Sequence, residues 1–451
     1  MTPKLFHGRL ADVATRCLIL LDESRVKLNR IPGCLRLQGL ILAALVATCI
    51  PVSASKSLMV YYMPWYVAKP VGGGWGWHWT MDHFNPDSLN ASGERQIASW
   101  YYPLIGPYDS SDPAVLEYHV LLMKLAGIDG VIVDWYGASD WFDYGINNRA
   151  TACLFQATRR AGLKFAICYE DQTVKRMIEA HHLPPEDAIR QARQEMAHAD
   201  TNYFNDPSYY RIDGKPLLLN FGPQYFAASS NWGSIFSAIS PGNQPAFFTE
   251  DNRLEIGMGA FNWPPMWMSQ AAGAGGVLSG AALKSYLTAF DEKAARWPAQ
   301  VSSAFPRFHD IYQKAGVRNY WGYLGDRNGE TFLETLGRAM TNSSSIVQIV
   351  TWNDFGEGTV IEPTREYGYR DLGIVQEFRR RHLDPGFTLV TNDLPLALRF
   401  YELRRQSGTN QAIHKELDGV FTNIVSGSVQ TARARLDVLD GDKAAHSHLE
   451  H

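Results

Sequence analysis

Eight short apolar runs, each leading into a loop and several followed by a helical stretch, constrain the fold of this chain most. They are "LMVYYM" (58–63), "IDGVIVDW" (128–135), "KFAICYE" (164–170), "KPLLLNF" (215–221), "PAFFTE" (245–250), "GMGAFNW" (257–263), "NYWGYLG" (319–325) and "SIVQIVTW" (345–352). None alternates cleanly between apolar and polar residues, which is the pattern of parallel strands buried on both faces. Helical stretches lie between several of them, at 113–126, 147–161, 185–199, 280–297 and 330–341. Eight buried strands alternating with helices predict a (β/α)8 barrel. A doubly wound parallel sheet is the alternative, but its phosphate-binding glycine pattern is absent. After Asp384-Pro385 the texture changes to helical spacing without strand runs. Residues 55–384 are therefore expected to form the barrel, and 385–445 a small helical appendage packed on it.

The two ends read as additions to that domain. In residues 1–54, Arg30 and Arg36 precede the apolar stretch "LQGLILAALVATCIPV", and Val52-Ser53-Ala54 has the form of a small-residue cleavage site. The apolar stretch is short for a membrane span. The expectation is a secreted or periplasmic protein whose mature chain starts near Ser55, with no stable membrane insertion after cleavage. Of five cysteines, only Cys153 and Cys168 follow that point; their apolar surroundings predict two buried free thiols. The final "HSHLEH" (446–451) resembles a tag remnant.

Net charge is −4 with both signs interspersed and no polybasic run, which argues against nucleic acid as a partner. The outlier is aromatic content, with 13 Trp, 21 Tyr and 21 Phe. Many of these sit beside Gly and Pro rather than in periodic core patterns, which suits the stacking of flat faces on sugar rings. In a barrel the active site lies at the C-terminal ends of the strands. Those ends carry Trp65 and Tyr66, then Asp134, Trp135 and Tyr136, then Glu170, Asn220, Glu250, Asn262 with Trp263, and Asn353 with Asp354. Acids and amides end any strand that meets solvent, but solvent contact does not account for the recurring Trp and Tyr. A carbohydrate cleft does. The loop "GGGWGWHWTMDH" (72–83) offers Trp77 and His78 as an aromatic wall, or else as a buried anchor for a long loop. No GK[ST] follows its glycines, so it is not a phosphate cradle. His78 and His83 suit hydrogen bonds to hydroxyls better than metal binding, and neither metal nor cofactor is expected. Tyr108 is placed to shape the cleft. Arg327, in the loop after the seventh run, reaches either substrate or solvent. Oligomeric state is not legible.

The segment "TWNDFGEGTVIEP" (351–363) follows the last apolar run and holds Asp354 and Glu357 between glycines. Glycoside hydrolysis usually uses two carboxyl groups, one to protonate the leaving oxygen and one to activate water or assist at the sugar. An acid pair three apart also caps helices and faces solvent, so the pair alone does not decide.

Longer motifs carry a resemblance. "TWNDFGE" resembles the motif of glycoside hydrolase family 71, the α-1,3-glucanases, and "EGTVIEP" is similar to the corresponding stretch of family 99, the endo-α-mannosidases and endo-α-1,2-mannanases. "YYPLIGPYDSSDPAVLEYHVLLMKLAGIDGVIVDWYG" (101–137) resembles a second family 99 block, and "YYMPWY", "YYRIDGKPLLLNF", "FPRFHD" and "DRNGETF" are weaker echoes. The likeness spans 59–375, the whole expected barrel. It implies a glycoside hydrolase acting on an α-mannan or α-glucan, endo in mode, with Glu357 as general acid. Asp354 matches the family 71 base. It also aligns with a family 99 Glu that assists attack by the sugar's own 2-hydroxyl. Here Asp replaces that Glu, and the side chain shorter by one methylene leaves room for water, which tilts towards inversion. Glu170 matches the strand-end Glu of family 99, implying contacts with sugar hydroxyls. Asp171 replaces that family's neighbouring Pro. A non-catalytic glycan-binding protein on the same barrel, and a transglycosylase, remain as alternatives.

Overall fold

A computed structural model describes residues 56–270 and 275–447; the signal-like segment 1–54 and residues 448–451 of the tag-like end lie outside them. Eight parallel strands form the core: β1 (Ser57–Tyr62), β2 (Gly130–Trp135), β3 (Lys164–Tyr169), β4 (Lys215–Asn220), β5 (Ala246–Glu250), β6 (Gly259–Phe261), β7 (Ser302–Ala304) and β8 (Ile346–Ile349). Each pairs with its sequence neighbours, and β1 also pairs with β8. Between β6 and β7 the link is a parallel bridge from Phe261 to Val301, with Val301 N–H donating to Ala260 O at 3.1 Å. The sheet thus closes into a (β/α)8 barrel. Val131–Val133 and Leu217–Leu219 are buried, as unbroken apolar runs require when helices cover one face and the barrel interior fills the other.

One strand is not where the apolar pattern placed it. The run 319–325 contributes only Tyr323–Leu324, which pairs antiparallel with Phe308–His309 outside the barrel. The seventh barrel strand is Ser302–Ala304, too polar and short to register as a run. It pairs with β8 on one side, and two of its backbone N–H groups find side chains: Ser302 N–H donates to Ser344 Oγ at 3.2 Å and Ser303 N–H to Asn262 Oδ1 at 3.0 Å.

The helices covering the barrel are α1 (Pro113–Ala126), α2 (Tyr144–Arg160), α3 (Gln172–Glu179), α4 (Ala188–Ala199), α5 (Ser229–Phe236), α6 (Gly280–Ala294), α7 (Glu330–Thr341) and α8 (Arg370–His382). Helices α3 and α5, eight residues each, are too short to show a helical period in sequence. The start of α1 follows from its residues: the Asp112 carboxylate accepts Ala114 N–H at 2.9 Å, Pro113 occupies the first turn, and Gly127 closes the helix in the left-handed conformation. The chain ends in α9 (Pro395–Gln406), α10 (Gln411–Val425) and α11 (Val429–Ser447). Arg404 of α9 pairs with Glu117 of α1 at 3.1 Å, and Arg405 with Asp112 at 2.7 Å. Cys153 and Cys168 are free thiols, the second buried. Among the described residues no helix is long and apolar enough to cross a membrane.

Candidate active site

A cleft of about 560 Å³ opens at the C-terminal ends of the strands. Strand alternation decides what reaches it, because successive side chains point to opposite faces. On β2, Asp134 turns into the cleft while Trp135 turns outwards. At the end of β3, Glu170 faces the cleft, and the neighbouring Asp171 carboxylate accepts the N–H groups of Gln224, Tyr225 and Phe226 at 2.8–2.9 Å. At β5, Glu250 faces in, while Asp251 accepts the Tyr286 hydroxyl at 2.6 Å.

The loop after β8 brings Asp354 and Glu357 to the same cleft. Its shape is set by backbone contacts. Asp354 N–H donates to Thr351 Oγ1 at 2.8 Å, and Phe355 N–H to the Tyr66 hydroxyl at 3.0 Å. Gly358 has φ +67°, and a Cβ there would meet His309 O at 2.5 Å, so glycine is required at this turn. The turn lets His309 N–H donate to Glu357 O at 2.8 Å.

Five carboxyl groups, those of Asp134, Glu170, Glu250, Asp354 and Glu357, line one cavity. Burial pushes all of them up. The pair on the loop is split. Glu357 is driven well above the usual range by burial, then by the charges of Asp354 and Asp310. Asp354 is raised by burial only to about 7, because its carboxylate accepts the N–H groups of Glu357 and Gly356. One carboxyl therefore keeps its proton in a pH range where the other sheds it. On β2 and at the end of β3, Asp134 accepts the Tyr61 hydroxyl at 2.8 Å and Glu170, raised to about 7, accepts from Gln172.

These shifts have a stability consequence. For Glu170 the folded value lies above the ordinary 4.5. Between those two values the folded state binds more protons than the unfolded chain, so this group's contribution to stability falls as pH rises through that window. Glu170→Gln removes the titration. Its melting temperature relative to wild type should therefore climb from about pH 4.5 to about pH 7, measured by calorimetry across that range.

Aromatic walls complete the cleft. Trp65 stacks on His78 with centroids 4.1 Å apart and planes 4° from parallel; burial lowers the His78 pKa, which favours the neutral ring. Trp77 lines the same wall, while Trp79 is buried with its Nε1–H on Tyr108 O at 2.8 Å. The 72–83 loop is thus both wall and anchor. Tyr66, Tyr136 and Trp263 also face the cleft.

Six residues expected at the substrate do not line it. Trp135 packs against Tyr169, His198 and Tyr203 on the helix side, donating to Asn148 Oδ1 at 3.0 Å. Asn220 is buried, donating to Asp171 at 3.3 Å. Asn262 braces β7. Asn353 clamps the backbone of Met63, with Oδ1 on its N–H at 2.8 Å and Nδ2 on its carbonyl at 2.9 Å. Tyr108 lies behind the wall, donating to Glu362 at 2.7 Å. Arg327 pairs with Glu334 on α7. Conversely, Tyr61, Gln172, Glu250, Tyr312, Arg318 and Trp321 line the cleft but were not singled out as substrate residues. Glu250 was visible as a strand end. Tyr312, Arg318 and Trp321 sit in the excursion after β7 that the apolar pattern partly assigned to a strand. A second depression of about 560 Å³, beside α1, α9 and α10, is lined by Asp112, Glu117, Arg160, Arg404, Arg405 and Asp418. These charges are engaged in ion pairs with one another. Among the described residues no cluster of three or more His, Cys, Asp or Glu side chains is arranged to hold a metal ion.

A closed (β/α)8 barrel with carboxyl groups and aromatic walls in its C-terminal cleft defines a protein of the glycoside hydrolase class. The family model described as glycosyl hydrolase family 99 matches residues 53–253. A glycoprotein endo-alpha-1,2-mannosidase-like protein of Mus musculus is 25% identical over 355 residues, covering 69% of this chain and 72% of that protein. The glycoprotein endo-alpha-1,2-mannosidase of the same organism is 24% identical over 164 residues, 34% of this chain and 33% of its own length. The solved GH99 endo-alpha-mannosidase from Bacteroides thetaiotaomicron superposes with a TM-score of 0.53 at 20% identity, covering 72% of this chain and 97% of that one; at this identity the likeness shows a common fold. The match to glycosyl hydrolase family 99 thus extends over residues 53–253, a little under half of the chain.

Proposed function

We propose that this protein is an endo-acting glycoside hydrolase of α-linked, mannose-containing glycans, with Glu357 as general acid and Asp354 as the assisting carboxylate. The observation that carries the residue roles is the split of the two carboxyls on the loop after β8. Glu357, well above the usual range, holds a proton to give to the leaving oxygen. Asp354, held by two backbone N–H groups, ionises first and draws a proton from water or from a sugar hydroxyl. The mannose assignment comes from the relatives, and the aromatic walls suit sugar faces of that kind. The signal-like residues before Ser55 support work outside the cytoplasm.

The sign of the pH dependence follows. Turnover requires Asp354 ionised and Glu357 protonated. Activity should rise with pH up to about 7, where Asp354 titrates, and fall again at higher pH as Glu357 ionises. A kcat/KM profile on a manno-oligosaccharide checks both limbs; a flat profile through pH 7 would remove Asp354 from the rate-limiting chemistry.

The direct test is a turnover screen of residues 55–445 on α-1,2- and α-1,6-mannan, α-1,3-glucan and unrelated polysaccharides, with the first anomer formed read by proton NMR. Cleavage of an α-mannan supports the reading, and the anomer distinguishes water from a sugar hydroxyl as the nucleophile. Glycan binding without cleavage would sink it in favour of a binding protein.

A further inference from the structure

Glu250 is one of three cleft carboxyls, with Asp134 and Glu170, that the two-carboxylate chemistry leaves unused. Its backbone is fixed, with N–H donating to Gly222 O at 2.7 Å and the residue paired in register with Phe261. Its side chain turns into the cleft with Glu170, Gln224 and Trp263. The other four acids each accept a hydrogen bond within the protein: Asp134 from Tyr61, Glu170 from Gln172, Asp354 from Glu357 N–H, and Glu357 from Tyr312 at 3.4 Å. Among the described residues, the Glu250 carboxyl has no hydrogen-bond or ion-pair partner. Its neighbour Asp251 shows the ordinary alternative, bonded to Tyr286 outside the cleft.

We propose that Glu250 is a substrate-binding residue whose carboxylic acid hydrogen-bonds a hydroxyl of the sugar lying across the barrel mouth from Asp354 and Glu357. This rests on the reading of the cleft as a sugar site. Position supports it: β5 lies three strands from β8 in the closed ring, so Glu250 meets the sugar from nearly the opposite side. A neutral carboxylic acid offers one donor and one acceptor, which suits the hydroxyls of a sugar.

The surrounding charges keep it in that form. Burial, then Asp251, then Glu170 raise Glu250 to about 8. Among the described residues, no cation offsets them. Lys293 of α6 donates to Asp251 O and Asn252 Oδ1, both at 3.0 Å, and Arg176 of α3 acts on Glu170. The nearby Cys168 thiol and Tyr286 phenol are themselves raised by burial and are neutral. Above about pH 8, Glu250 loses its donor and adds a negative charge beside Glu170, so sugar binding weakens.

The test compares wild type, Glu250→Ala and Glu250→Gln on one α-mannan oligosaccharide, with kcat and KM resolved from pH 6 to 9 and Kd for the same sugar measured by calorimetry. Glu250→Ala should raise KM and Kd about 3–10-fold, the loss of one neutral hydrogen bond, with a smaller effect on kcat. Glu250→Gln keeps a donor and an acceptor; it should raise KM less and abolish the rise above about pH 8 that wild type shows. Equal KM and Kd in all three proteins, or the same alkaline rise in Glu250→Gln as in wild type, would overturn the proposal while leaving the hydrolase reading intact. If no α-glycan is cleaved but the sugar still binds, the Kd comparison decides Glu250 alone. Absence of any glycan binding overturns both readings.

Discussion

Glu357→Gln lowers the turnover of an α-mannan by about 10²–10⁴-fold, the contribution expected of a general acid, while the sugar still binds. The substitution preserves size and leaves the loop anchored, because the backbone bond from His309 N–H to Glu357 O does not involve the side chain. What it removes is the proton for the leaving oxygen. The loss should therefore shrink on an aryl mannoside whose leaving group departs without protonation. Asp354→Asn should slow both substrates alike, since its partner atom is on the nucleophile and not on the leaving group. A purely structural role for Glu357 would give equal losses on both substrates, and that outcome would take the acid role away from it.

The barrel was legible in sequence because its information is local. Seven of the eight strands are apolar runs that any buried parallel strand must have, and β8 leads directly to the loop bearing Asp354 and Glu357. Two kinds of information were not local. The first is satisfaction by distant side chains. Ser302–Ala304 can be a barrel strand because Asn262 and Ser344 bond its backbone, which no reading of "VSSAF" discloses. The second is facing. Asp134 and Trp135 are adjacent strand-end residues, and only the phase of the strand decides that the acid faces the cleft and the tryptophan faces α4. Asn353 and Asp354 repeat the lesson, one clamping Met63 and the other lining the cleft. The tryptophans were read as a sugar surface from their number and neighbours. Part of that surplus, Trp79, Trp135, Trp232 and Trp352, is buried core. The cleft keeps Trp65, Trp77, Trp263, Trp267 and Trp321.

Arg307→Ala destabilises the protein by about 3–5 kcal/mol, the cost of breaking a buried ion pair from one side. Arg307 leaves β7 with 1% of its surface exposed. Its guanidinium donates to Val360 O at 2.6 Å, pairs with Asp371 at the start of α8, and lies 3.8 Å from the centroid of the Tyr367 ring. One side chain thus joins the exit of β7 to both ends of the segment that follows the Asp354–Glu357 loop. Removing it leaves the Val360 carbonyl without that donor, and leaves the Asp371 carboxylate with Arg370, at 3.0 Å, as its ion-pair partner among the described residues. Against a total stability of about 5–15 kcal/mol, the change should appear as a large fall in the urea midpoint. Arg307→Lys should recover little, because a single ammonium cannot reproduce the planar, two-directional contact or the stacking on Tyr367. The double change Arg307→Met, Asp371→Leu should recover much of the loss, since it leaves no buried charge unpaired. Because Val360 and Glu357 share one short loop, Arg307→Ala should also reduce kcat more than it raises KM. An unchanged midpoint in Arg307→Ala would mean that the loop holds its position without this brace, and that Gly358, Thr351 and Asn353 suffice to present the two carboxyls.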